Sequence, residues 1–206
     1  MATTTVQRPR LHLRPDSAGI RLTPREFDQA DFKVGWRYEL INGVLVVSPT
    51  PLEMERDPNE QLGYWLRLYH ETHPQGKCLD KTLPEHTVRT GKNRRRADRV
   101  IWIGLGRLPT KKDVPSVVGE FVSAGRRDRE RDYIDKRDEY LAIGVDEYWV
   151  FDRFQRTLSV FFRRGARIGK RVLAECDVYT TPLLPGFELP LRTLFALVDD
   201  WQADEE

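Results

Sequence analysis

Apolar and polar positions first alternate regularly in RYELINGVLVVSP, residues 37–49. Asn42-Gly43 lies between two apolar runs there and predicts a β-hairpin, because both residues tolerate the positive φ of a tight reverse turn. Upstream, Thr23-Pro24 predicts a short helix with Thr as N-cap and Pro in the first turn. Downstream, Asp57-Pro58 opens a longer helix in which Leu62, Trp65, Leu66 and Tyr69 repeat at the spacing of one buried stripe. Segments 79–83 and 85–89 are too weakly patterned to assign. GKNRRR at 91–96 reads as a basic turn, and Val100 to Ile103 as a central strand. Beyond a linker at 109–115, VVGEFVS (117–123) is another strand. Residues 128–143 are a helix stopped by Gly144. EYWVFD (147–152) and TLSVFF (157–162) are strands, TTPLLPGFELPL an ordered loop, and 194–201 a closing helix. Residues 1–22 show no sustained period and are expected to be a loose arm, leaving 23–206 as a single domain. Strands and helices mix throughout, so the class is α/β or α+β around one sheet.

Composition narrows this reading. A chain of 206 residues, 39% hydrophobic and 10% aromatic, suits one domain with a real core. Charged residues make up 32%, yet the net charge is only +2, so a nucleic-acid footprint would have to come from local clusters. No apolar run approaches the ~20 residues of a membrane span, and the first residues lack the apolar stretch of a secretory signal. Cys78 and Cys176 are far apart without CxxC spacing, which suits a reducing compartment. The expectation is a cytoplasmic protein with no membrane partner.

The candidate chemistry starts with Glu120, a lone carboxylate inside VVGEFVS. Strand alternation puts Val118, Glu120 and Val122 on one face and Val117 and Phe121 on the other. In a central strand such a carboxylate needs a cation beside it, whereas on an edge strand it would face water. Asp98 stands at the mouth of the 100–103 strand, and two carboxylates on neighbouring strands can share one hard cation. Lys136 lies about 60° from Tyr133 and about 40° from Tyr140 on an ideal helix, at the border of an apolar arc continued by Ile134 and Leu141. Ser123 is not in a GxSxG elbow, which excludes a serine hydrolase of that type. HETH (70–73) has the wrong spacing for a zinc-binding HExxH.

Asp98 before an apolar strand, Glu120 within VVGEFVSAG, and RDRERDYIDKRDEYLAIGVDEYWVFD together resemble the Uma family of putative restriction endonucleases, in the PD-(D/E)XK nuclease superfamily. RYELINGVLVVSPTP and TPLLPGFELPL resemble its first hairpin and closing segment, so the likeness covers roughly residues 23–200. It implies a restriction-endonuclease-like core: a mixed central β-sheet flanked by helices, with an N-terminal β-hairpin. It also implies hydrolysis of phosphodiester bonds in nucleic acid, DNA rather than RNA, with Mg2+ or Mn2+ as cofactor and a homodimer as the working form. Asp98 and Glu120 would be metal ligands and Lys136 the catalytic lysine. Glu39 matches a family position and is a possible accessory residue, as is Ser123. Ala97-Asp98 stands for the superfamily's Pro-Asp pair, and Val122 occupies the place of its usual lysine. Arg94, Arg95, Arg96, Arg126 and Arg127 adjoin these positions and are expected to grip the nucleic-acid backbone. The alternative is a catalytically inactive nuclease fold that serves in nucleic-acid binding or assembly.

Overall fold

The computed structural model describes residues 10–123, 131–165 and 167–203. Strand β1 (His12–Leu13) pairs in parallel with β2 (Asp31–Phe32), and α1 (Pro24–Gln29) lies between them. Thr23 caps α1 as its sequence predicts: its side chain accepts from the Glu26 N–H, and the Glu26 carboxylate accepts from the Thr23 N–H. Strands β3 (Trp36–Ile41) and β4 (Val44–Pro49) form the expected hairpin, with Asn42 and Gly43 at φ 50° and 76°. Within the arm expected to be loose, the described residues 10–22 pack against the fold. Leu13 and Leu22 are buried with Phe27, Tyr38, Leu40 and Leu45 beneath the hairpin, and two apolar anchors suffice to hold so short a segment.

Helix α2 runs from Glu53 to Thr72, so it begins before Asp57-Pro58 and contains Pro58. The Glu55 carboxylate accepts from the Leu52 N–H at the true start, which supplies a cap the sequence pattern did not advertise. Strand β5 (Leu79–Thr90) joins the two weakly patterned segments, and β6 (Asn93–Ile103) begins inside the supposed basic turn. Strands β7 (Val117–Phe121), β8 (Glu147–Asp152), β9 (Thr157–Arg164) and β10 (Arg167–Ala174) follow. β10 was not foreseen: it is a mostly exposed edge strand without apolar alternation. A π-helical turn, Arg131–Lys136, leads into α3 (Arg137–Ala142), and α4 (Leu191–Ala203) closes the chain after the short pair β11 (Val178–Tyr179) and β12 (Leu189–Pro190).

Among the described residues the main sheet has the order β10-β9-β8-β7-β6-β3-β4, with β5 on the other edge of β6. All pairings are antiparallel except β7 with β8, where α3 provides the crossover. The strand β6 forks the sheet. On the edge away from β5 it pairs with β3 at Arg94 and then with β7 from Arg99 to Ile101. Asp98 sits between these two pairings. Leu62 and Leu66 of α2 and Leu194 of α4 pack with Ile101, Val117, Trp149 and Phe151 on one face. On the other face Tyr140 and Leu141 of α3 pack with Val100, Val118, Val122 and Val150. The predicted alternation of β7 is therefore observed. Tyr148, Trp149 and Phe151 of β8 and Phe161 of β9 serve this core.

Candidate active site at the fork in the sheet

The fork collects charge because three strands aim side chains into it. Arg37 and Glu39, two residues apart on β3, share a face. Glu39 accepts from the Arg96 N–H at 2.9 Å. Arg37 donates to Asp98 Oδ1 at 2.7 Å and to the Arg96 carbonyl at 2.9 Å, and lies 3.3 Å from Glu85. Asp98 Oδ2 accepts from the Phe121 N–H at 2.7 Å, which ties β6 to the residue after Glu120. Asn59 of α2 donates to the Asp98 carbonyl.

Glu120 is 1% exposed, so the edge-strand alternative does not hold. Lys136 donates to its Oε2 at 2.8 Å, and the Tyr140 hydroxyl donates to its Oε1 at 3.0 Å. Lys136 is itself only 3% exposed, so its ammonium is inside rather than snorkelling. It ends the π-helical turn, whose wider winding changes the phase of the residues before it. Ile134, expected on the apolar arc, is accordingly exposed. Val122 is buried among the apolar residues below Glu120, and the ammonium beside this carboxylate comes from the helix.

Glu139 sets where that helix stands. It accepts from both arms of the Arg95 guanidinium, from Thr90 and from Asn93, clamping α3 to the β5–β6 turn one helical turn after Lys136. Burial raises the Glu139 pKa, but the Arg95 hydrogen bond and the other donors outweigh it, and the carboxyl lies below its usual range. Burial, with the charge of Glu120 next, drives the Tyr140 phenol well above its usual range, so it remains a donor. Glu55 is raised by burial and then by the charge of Asp98, with Ser123 and Arg153 partly offsetting this. Burial opposes the charge of Arg37, yet Asp98, Glu85, Glu120 and Glu39 together hold its pKa above the normal value. Glu85 adopts φ 48° opposite Asp98, a left-handed conformation costing a non-glycine residue about 1–2 kcal/mol.

The basic cluster needs correction. Arg94 is buried in a two-pronged pair with Asp28, and Arg95 is committed to Glu139. Strand alternation sends these neighbours to opposite faces, so consecutive arginines make no continuous surface. Arg96 is the member that reaches open space: it bonds Glu85 and lines a cleft of about 530 Å³ together with Arg37, Arg56, Lys33, Trp36 and Asn59. Ser123 follows β7, is half-buried, and helps lower the pKa of Glu55. Arg126 and Arg127 lie outside the described residues. Arg37, Glu55, Glu85 and Tyr140 escaped the sequence reading; the shared face of Arg37 and Glu39, and Tyr140 four residues after Lys136, were the available signals.

The donor set suits a hard divalent cation: carboxylates and carbonyls, with neither histidine nor cysteine among the named contacts. Among the described residues no three His, Cys, Asp or Glu side chains converge into a ready cage. Two carboxylates on adjacent strands still fit magnesium, which keeps several waters.

A family model described as "Putative restriction endonuclease", Uma2, matches residues 24–192. The chain belongs to the Uma2 family. The fold of this Uma2 protein is also that of a solved structure described as a putative nuclease belonging to DUF820 from Anabaena variabilis. That likeness has a TM-score of 0.68 at 14% identity and covers 86% of this chain and 99% of the other. No curated protein matches. Among the described residues no helix is long and apolar enough to cross a membrane.

Proposed function

We propose that this Uma2 protein is a metal-dependent endonuclease that hydrolyses phosphodiester bonds of DNA. The observation supporting this most strongly is that the Lys136 ammonium holds buried Glu120 one residue from the Phe121 N–H that engages buried Asp98, where β6 changes partners. Asp98 and Glu120 would hold Mg2+ or Mn2+. When bound, such an ion supplies Lewis acidity, which lowers the pKa of water and offsets charge on a phosphoryl oxygen. Lys136 orients the attacking water and stabilises negative charge as it develops on the phosphate. Tyr140 holds Glu120 Oε1 in place, and Glu139 keeps the helix in register. Arg96, at the cleft, grips a backbone phosphate, a contact without sequence information. Glu39 acts indirectly by fixing the Arg96 backbone beside Asp98.

The test is conversion of supercoiled plasmid to nicked and linear forms with Mg2+ or Mn2+, comparing wild type with Asp98→Asn and Glu120→Gln. Cutting by wild type alone supports the reading; equal cutting by all three, or none, rejects it. The burial of Val122 at the usual lysine position favours a second reading, an inactive nuclease fold that binds nucleic acid. It predicts metal-independent DNA binding that survives both substitutions, without cutting. We further propose a cytoplasmic homodimer, since cutting two strands calls for paired sites; light scattering at a mass near that of the single chain would reject the dimer.

A further inference from the structure

The Asp98 oxygen that a divalent cation would need is already bonded by a cation of the protein's own. Arg37 Nη2 lies 2.7 Å from Asp98 Oδ1, while Oδ2 is engaged by the Phe121 N–H. The same guanidinium contacts Glu85 and lies in the field of Glu120 and Glu39. Arg37 is also part of the cleft lining, with 16% of its side chain exposed. Its neighbours in that lining include Arg96, Arg56 and Lys33 beside Glu85 and Glu60, so cations outnumber acids on a surface that can take an anionic backbone.

We propose that Arg37 is a latch coupling divalent-cation binding to phosphodiester binding. In the free protein its guanidinium neutralises Asp98 and competes with the metal ion. A backbone phosphate arriving in the cleft offers the same two-pronged acceptor as a carboxylate and draws the guanidinium outward, which frees Asp98 Oδ1. Each ligand then raises the affinity for the other by the same factor, as thermodynamic linkage requires. The latch rests on the nuclease reading of this site, and it adds an order to it: the metal ion is held tightly only when DNA is present.

The test measures Ca2+ binding by calorimetry, with and without a saturating short DNA duplex checked by gel to be intact. For wild type the duplex should raise Ca2+ affinity about tenfold or more, within the usual range of coupling between sites. Arg37→Gln should bind Ca2+ several-fold more tightly than wild type without DNA and lose most of the gain that DNA confers. Arg37→Lys, which keeps the charge without the fork, should fall between them and serves if the Gln variant does not fold. Wild-type affinity unchanged by the duplex, or an Arg37→Gln protein that binds Ca2+ no better and keeps the full gain, overturns the latch. Plasmid cutting without coupling removes the latch alone. Coupling without cutting removes the nuclease reading alone.

Discussion

Two buried glutamates stand on the adjacent parallel strands β7 and β8, and they are held in opposite ways. Glu147 begins β8 and accepts hydrogen bonds from the Trp149 indole, the Tyr179 hydroxyl and the Thr181 hydroxyl, all neutral donors. Glu120, near the end of β7, is held by the Lys136 ammonium and the Tyr140 hydroxyl, one residue from the backbone N–H that engages Asp98. Burial of a carboxylate therefore does not mark a site. Glu147 ties the closing segment to the core through Tyr179 and Thr181. Glu120 belongs to a cluster in which Glu120, Asp98 and Glu85 are balanced by Lys136 and Arg37 beside a cleft. Under the proposed function such a cluster would exchange its internal cations for a metal ion or a phosphate, which a set of neutral donors would not do.

The largest difference between the two should appear in catalysis. Lys136→Ala is expected to lower plasmid cutting about 10²- to 10⁴-fold, whereas Glu147→Gln should leave it within a few-fold; equal losses would erase the distinction. In stability the clamp behind the site matters most. Glu139→Ala leaves the Arg95 guanidinium, 2% exposed, without its carboxylate, and should cost about 3–5 kcal/mol in urea unfolding. Glu147→Gln should cost about 1.5–3 kcal/mol, since charge-assisted bonds become neutral ones. A cost near zero would mean that its donors find other acceptors.

The smallest effect is in acid. Because the folded-state pKa of Glu139 is depressed, the unfolded chain takes up its proton first as pH falls. The stability it contributes is complete above its unfolded value of 4.5 and is lost as pH falls through the folded value. Glu139→Gln should therefore be the less stable protein above pH 4.5, with the gap to wild type closing below it. A constant gap across that window would contradict the pairing with Arg95.

Much of the fold was legible because its signals are local. Thr23-Pro24 caps a helix by contacts within four residues, and Asn42-Gly43 turns a hairpin through its own backbone preferences. The start of α2 was misjudged because Glu55 caps it ahead of a proline that ordinarily marks a first turn. The strand β10 was missed because an exposed edge has no need of alternating apolar residues. In the candidate site, Asp98, Glu120 and Lys136 could be named from their surroundings and from family resemblance. The arginine run misled, because a list of charges does not say which face each one meets.

By itself the sequence determined the residue types available for chemistry, the faces of β7, the hairpin and the membership of the Uma2 family. The tertiary structure alone decided the company each charge keeps. It paired Arg94 with Asp28 and Arg95 with Glu139, buried Lys136 against Glu120, and set Arg37 between Asp98 and the cleft. These partners are separated by 16 to 66 residues in the chain, and the energy of a buried charge depends on which opposite charge stands within a few ångströms of it. No local pattern encodes that distance; the fork in the sheet does.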